Sequence, residues 1–360
     1  MAQPRTVITG TGSCIPPRTV PNAAFLDHTF FQDVGQPYPA GETARIVSKF
    51  EEITGISERR YADDDQVASD LAFEAGRQAV ASAGIDPETL DYVIVAHNFG
   101  DVKAAHRRSD FVPTLAARVK ARLRIANPAC VAYDLPFGCP GWLQAVIQSD
   151  YFLRSGDAKR ALVIGAETLS RVCDPCDRDS MIYADGAGAV VLEAQTHREP
   201  VGILAHAVRS DTLEHAGLLR MDRSFDREAE GAPLTLKMKG RTLYEYALAT
   251  VPGVVQQSLE RAGLTLAQVD KVLIHQANGK MDEAILKRLF KRFGVAEVPA
   301  GIMPMTVSWL GNSSVATVPT LLDLIVKGKL DGHSLASGDH VVFASVGAGM
   351  NINAMVYRWP

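Results

Sequence analysis

The chain has 360 residues, 47% of them apolar, and a formal net charge of −4. That length fits two domains, or one large unit built from two similar halves. The mild acidity leaves no basic patch for nucleic acid, and no stretch approaches the roughly 20 apolar residues of a membrane span. Five irregularly spaced cysteines do not form a secreted disulfide framework. With no signal-peptide core ahead of the first β-like run, a cytoplasmic location is expected.

In chain order, residues 5–14 read as a strand running into a glycine turn. The Gly10-Thr11-Gly12 triplet lacks the third glycine and the following helix of a dinucleotide fingerprint. Residues 22–50 suggest a helical piece, an irregular loop and a helix over 42–51. Ser69 is placed to cap a helix through Ala83, whose apolar residues Leu71, Ala72, Ala75, Ala79 and Val80 recur at helical spacing. Tyr92 to Ala96 is a short apolar run of the kind buried inside a parallel sheet. The charged loop from His97 to Asp110 follows it, then a helix over 112–123. Arg160 to Gly165 is another buried strand. Cys173-Asp174-Pro175-Cys176 has CxxC spacing, but no second pair and no neighbouring histidines, so no metal or redox role is expected. Asp185-Gly186-Ala187-Gly188 reads as a glycine turn entering a strand. The polar stretch 196–200 is the best boundary, dividing the chain into 1–196 and 197–360.

Cys139 lies in Phe137-Gly138-Cys139-Pro140-Gly141-Trp142, between an apolar strand (130–136) and an amphipathic helix (143–153). A thiol at a helix N-terminus faces unpaired N–H groups and the positive end of the helix dipole, and both favour thiolate. Taken alone, such a cysteine is as readily a small buried hydrophobe.

The second half repeats the first. Ala83-Gly84 ends a helix before Leu90-Asp91-Tyr92; Ala262-Gly263 ends a helix before Val269-Asp270-Lys271. Ser155-Gly156-Asp157 precedes one strand, and Ser337-Gly338-Asp339 precedes another. From Asp91 to Asp270 the step is 179 residues and from Ser155 to Ser337 it is 182. This is a duplicated α/β unit. If the copies pack about a pseudo-twofold axis, Cys139 and Asn312 occupy equivalent helix starts, the second opening a helix over 315–326. His275 then follows a strand at the same end of the sheet. Singly, His275 could be a loop histidine, Asn312 an N-cap and Gly347-Ala348-Gly349 a plain loop; their convergence points to catalysis.

These residues resemble the thiolase superfamily, and within it β-ketoacyl-acyl carrier protein synthase III. The resemblance rests on the Cys139 turn, His275-Gln276-Ala277-Asn278, Gly311-Asn312-Ser313-Ser314, Val346-Gly347-Ala348-Gly349, Asp185-Gly186-Ala187-Gly188-Ala189, and Cys173-Asp174-Pro175 with Arg178. It implies a thiolase-like five-layered αβαβα fold in a homodimer. It also implies an acyltransferase in which Cys139 takes an acyl group from a thioester. The N–H groups of Cys139 and Ala348 would form an oxyanion hole. His275 and Asn312 would stabilise the enolate left when a malonyl-type extender loses carbon dioxide. No bound cofactor or metal is implied; acyl carrier protein or coenzyme A thioesters are the substrates. The initiating enzymes' Trp-Ile-x-x-Arg-Thr-Gly-Ile reads here Lys49-Phe50-Glu51-Glu52-Ile53-Thr54-Gly55-Ile56. Both nucleotide-holding residues are replaced, so a carrier-bound acyl donor is expected. Arg178, Arg241 and Lys280 are candidate contacts for phosphopantetheine or the carrier. Ala96-His97-Asn98-Phe99 offers no glutamate where non-decarboxylating relatives keep a base, which favours decarboxylative condensation. Two alternatives stand beside this: a specialised ketosynthase or acyltransferase of a pigment or dialkylresorcinol-type pathway, and a non-catalytic subunit that binds acyl chains or carrier protein.

Overall fold

The computed structural model describes residues 4–229, 231 and 234–360. Strands β1 (Arg5–Cys14), β2 (Tyr92–His97), β3 (Val131–Pro136), β4 (Arg160–Thr168) and β5 (Asp185–Gln195) form one sheet in the order β1-β5-β4-β2-β3. Strands β6 (Gly202–Ser210), β7 (Lys271–Ile274), β8 (His340–Gly347) and β9 (Asn351–Arg358) form a second in the order β6-β9-β8-β7. The two have the same directions: antiparallel at β1·β5 and β5·β4, as at β6·β9 and β9·β8, then parallel at β4·β2 and at β8·β7. Among the described residues the fifth place in the second sheet has no regular strand, but Val272 N–H still reaches Ile302 O at 2.8 Å there.

The repeat extends to single hydrogen bonds. Asp91 N–H donates to Arg160 O at 3.0 Å, while its carboxylate accepts from the N–H groups of Lys159 and Arg160. Asp270 N–H donates to His340 O at 2.9 Å, while its carboxylate accepts from His340 N–H. Both sheets also carry a register shift near the start of their first strand, between Ile8 and Gly10 and between Ile203 and Ala205.

Alternation along the strands builds the layers. Val93, Val95, Leu162 and Ile164 face the helices α2 (Ala68–Ala83) and α3 (Leu115–Arg122) on the outside of the first sheet. Ile94, Ala161 and Val163 face inward, onto α4 (Gly141–Ser155) and a later helix over Thr317–Val326. From the opposite side Leu273, Val341 and Phe343 meet the same central helices. Val272, Ile274, Val342 and Ala344 face the outer pair Gly240–Ala262 and Gly279–Arg292. The result is five layers, αβαβα, with one apolar core shared between the halves.

Several local expectations are corrected by packing. The glycines of Gly10-Thr11-Gly12 lie inside β1 rather than in a turn: a Cβ on Gly12 would stand 2.1 Å from Ala75 O, so they let α2 press on the strand. The Asp185 glycines likewise lie within β5. Ser69 sits inside α2, bound to buried Asp101, and Asp70 accepts from Val67 N–H at the helix start. The helix over 112–123 begins only at Leu115, because Pro113 precedes the Thr114 cap. The 315–326 helix opens with a 3-10 turn, Ser314–Ala316.

Ile8, at the register shift in β1, donates its N–H to the Tyr357 hydroxyl at 2.9 Å, tying the first strand to the last. Tyr357 is fully buried. Tyr357→Phe should leave that N–H unsatisfied and lower unfolding stability by about 1–3 kcal/mol in a denaturant titration, with activity at low temperature unchanged.

Candidate active site

The turn ahead of α4 is held by its own backbone. Gly138 has φ +76°, which favours glycine, and its carbonyl accepts from Gly141 N–H at 2.9 Å. The apolar face of α4 (Trp142, Leu143, Val146, Ile147) is locked in the central layer. Cys139 is therefore fixed just before the helix. Gly347, at the end of β8, lies against it: a Cβ there would sit 2.7 Å from both Cys139 Cβ and Cys139 N. A Cβ on Gly138 would in turn sit 3.1 Å from Ala348 N. The N–H groups of Cys139 and Ala348 thus border the same turn.

Cys139, His275, Asn312 and Gly347 all line one cavity of about 620 Å³. That is the size of a small-molecule site. Its walls are largely apolar, with Phe50, Ile182, Met238 and Leu243 among them. The hairpin Leu219–Arg223 and Leu234–Met238 covers one side. Phe31 and Tyr38, from the 22–41 segment, and Lys49 and Ile53 of α1 (Thr43–Thr54) also reach the lining.

His275 follows β7 and donates its N–H to Ala344 O at 2.8 Å. Gln276 accepts from the N–H groups of Thr306 and Val307 and donates to Pro304 O, which holds the opposing loop. Asn278 caps the next helix through Met281 N–H. Burial pushes the His275 imidazole down to about 4, against a smaller pull from the Ser314 backbone, so the ring is neutral near pH 7. Its Nδ1 is buried with no partner.

Asn312 is not the N-cap of a regular helix. It bridges to Tyr183, its N–H donating to Ile182 O and its carbonyl accepting from Ala184 N–H. Its side-chain oxygen accepts from Ser314 N–H at 2.8 Å, which leaves the NH₂ group as the donor toward the cavity.

The expected low thiol pKa does not hold in the resting site. Burial among protein atoms pushes Cys139 up to about 11; hydrogen bonds from Ser314 and from its own backbone N–H oppose this, while the Glu167 charge adds to it. Ser314 Oγ lies 3.2 Å from Cys139 Sγ. Sequence reasoning missed Glu167. It reaches the end of β2 from the adjacent strand β4, where it accepts from Asn98 N–H at 2.9 Å and from the Asn98 side-chain amide. Burial raises its carboxyl to about 7. A charge within the interior run 160–168 was its only signal.

The candidate carrier contacts separate. Arg178 lines the cavity and donates to the Tyr38 hydroxyl at 2.8 Å. Arg241 lines its mouth, largely exposed and paired with Glu245 at 3.1 Å. Lys280 is exposed and off the lining. Cys173 is buried and Cys176 half-buried, and both are free thiols. Among the described residues no cluster of His, Cys, Asp and Glu is placed to hold a metal, and no helix is long and apolar enough to cross a membrane.

Residues 133–212 match the profile of 3-oxoacyl-[acyl-carrier-protein (ACP)] synthase III, and 259–359 that of its C-terminal domain. A β-ketoacyl-[acyl-carrier-protein] synthase III of Erythrobacter litoralis is 34% identical, over 99% of each chain. The solved synthase III of Thermus thermophilus superposes with a TM-score of 0.78 at 30% identity, covering 98% of this chain and 99% of that one. The priming β-ketosynthase of the R1128 polyketide pathway superposes at 0.80 with 26% identity, covering 100% and 97%. Fold, site geometry and sequence agree that the chain belongs to the β-ketoacyl-[acyl-carrier-protein] synthase III family of thiolase-fold condensing acyltransferases.

Proposed function

We propose that Cys139 is the acyl-accepting nucleophile of this condensing enzyme, and that His275 and Asn312 stabilise the enolate. The observation that carries this is that all three line one mostly apolar cavity. The Cys139 sulfur attacks the carbonyl carbon of an acyl thioester. Its proton and the donor thiolate leave together as a thiol. The N–H groups of Cys139 and Ala348 hold the tetrahedral oxyanion. A malonyl-type thioester then enters and loses carbon dioxide. The electron pair left behind delocalises onto the thioester oxygen, where neutral His275 and the Asn312 NH₂ donate hydrogen bonds. The carbon end attacks the acyl-cysteine, and the sulfur leaves as thiolate. This needs no metal or bound cofactor.

The donor is carrier-bound in this reading. Lys49 and Ile53 stand on the lining where initiating enzymes place a nucleotide-holding tryptophan and arginine. Arg178 and Arg241 provide cations for a phosphopantetheine phosphate. A cytoplasmic homodimer fits as well: β3 is the outer strand of its sheet, has β2 as its neighbour among the described residues, and exposes Val131.

Intact mass after incubation with a panel of acyl-carrier-protein and acyl-coenzyme A thioesters tests the reading. An acyl increment on the wild type, absent from Cys139→Ala, is expected, with carrier-bound donors loading faster. Faster loading from coenzyme A would remove the donor assignment. Loading retained in the variant would remove Cys139.

A further inference from the structure

Ser314 touches every part of the site. Its N–H holds the Asn312 side-chain oxygen, its backbone opposes the fall in the His275 pKa, and its hydroxyl lies 3.2 Å from Cys139 Sγ. The direction of that hydroxyl follows from the groups behind it. Glu167 Oε2 accepts from both Asn98 N–H and Asn98 Nδ2. Above its raised value of about 7, and so throughout the thiol titration, Glu167 is an anion and fixes the amide, because the reversed amide would set its oxygen against that charge. Asn98 Nδ2 then donates to Ser314 Oγ at 3.1 Å. With Oγ accepting from Asn98, the one hydroxyl proton points to the sulfur.

The backbone adds an independent observation. Ser314 has φ +53°, in the left-handed region where a serine is strained and glycine is not. Asn312 requires that turn, since it accepts from Ser314 N–H. Glycine would make the same turn with less strain but could not reach the sulfur. Glu167 is itself fully buried, and its second oxygen has no partner, so it too is held at a cost.

On the reading that Cys139 is the nucleophile, we propose that Ser314 is a further catalytic residue that donates a hydrogen bond to the Cys139 thiolate, and that Asn98 and Glu167 are positioning residues that aim it. A hydrogen bond to an ionised group contributes about 1.5–3 kcal/mol. At ~1.36 kcal/mol per pH unit that is one to two units in the thiol titration. Of the other titratable groups around the sulfur, Glu167 from β4 and Tyr183 from the loop before β5 couple to it, and His275 after β7 lines the same cavity. Burial raises the Tyr183 phenol and lowers the His275 imidazole, so both stay neutral while the thiol titrates. Glu167 is the one whose charge opposes the thiolate.

The test is the pH dependence of Cys139 alkylation by iodoacetamide, followed by intact mass on the full chain with Cys139→Ala as the blank. Ser314→Ala and Ser314→Gly should both raise the midpoint by about one unit or more, and slow acyl loading at pH 7 about tenfold or more. Glu167→Gln keeps an acceptor for Asn98 but removes the charge, so its midpoint should fall. Asn98→Ala should raise it. This opposition of sign is not produced by a merely structural role. An unchanged midpoint in both Ser314 variants, with Cys139 still alkylated, overturns the proposal. So does a shift in Ser314→Ala that Ser314→Gly lacks, because backbone strain would then be the cause. If wild-type Cys139 itself accepts no acyl group, the nucleophile reading fails, which the Ser314 result cannot imitate.

Discussion

Cys139→Ala is expected to abolish acyl loading, whereas His275→Ala and Asn312→Ala should load normally and then stall. In the proposed roles each of the last two removes one donor from the developing enolate oxygen, and loss of one such preorganised donor costs about 10²–10³ in rate. The double variant should fall by less than the product, because both donors serve one oxygen. Mixing pre-acylated enzyme with malonyl-carrier protein isolates this step; carbon dioxide release and product mass report it. Equal loss of loading in His275→Ala would instead make the histidine a base for Cys139. The pH profile of the isolated step carries a sign. His275 is held down to about 4 by burial, so the neutral ring persists well below the ordinary histidine range. Condensation by pre-acylated enzyme should thus show no acid limb near 6.5 and stay level from pH 8 to about 5. A limb centred near 6.5 would mean that the ring is solvated in the working enzyme.

The duplication was legible because its landmarks are backbone chemistry: helix-ending glycines at Gly84 and Gly263, and aspartates at Asp91 and Asp270 that repeat the same hydrogen bonds. Cys139, His275 and Asn312 were legible through motifs around them, and the structure brings all three to one cavity. The glycines of β1 and β5 misled, since a glycine admitting a neighbouring helix looks in sequence like one making a turn. Asn312 looked like a helix cap because its side chain does bind an N–H two residues on. The Glu167–Asn98–Ser314 connection left no trace, because its members lie 69 and 216 residues apart and meet only when β2, β4 and the second half are assembled. The thiol was read as activated because the helix terminus is local, while the burial that outweighs it is tertiary.

Lys237→Ala should destabilise the protein by about 3–5 kcal/mol, the range found when one partner is removed from a buried ion pair. Lys237 is nearly fully buried on the hairpin that covers the cavity. Its Nζ lies 2.5 Å from Asp174 and 3.2 Å from Asp177, and 3.3 Å above the Phe225 ring. Burial alone would raise the Asp174 carboxyl. Lys237, with the N–H groups of Phe225 and Cys176, brings it below the ordinary value instead. Without the lysine, two carboxylates face each other with no cation between them. Arg241→Ala, which breaks a pair whose arginine side chain is 92% exposed, should change stability by about 0–1 kcal/mol. A depressed carboxyl stabilises the fold above its unfolded value of ~3.9 and loses that contribution as the pH falls through its folded value. Wild type should therefore weaken on that acid limb, while Lys237→Ala, whose orphaned Asp174 carboxylate gains from protonation, should recover part of its loss there. Leu219, Phe225 and Met238 of the same segment line the cavity. The variant's KM for the acyl donor should accordingly rise at temperatures below its unfolding transition. Chemical denaturation across pH 3–7, with KM measured at the upper end, checks both; equal losses for Lys237→Ala and Arg241→Ala would show that burial of the pair is not what matters.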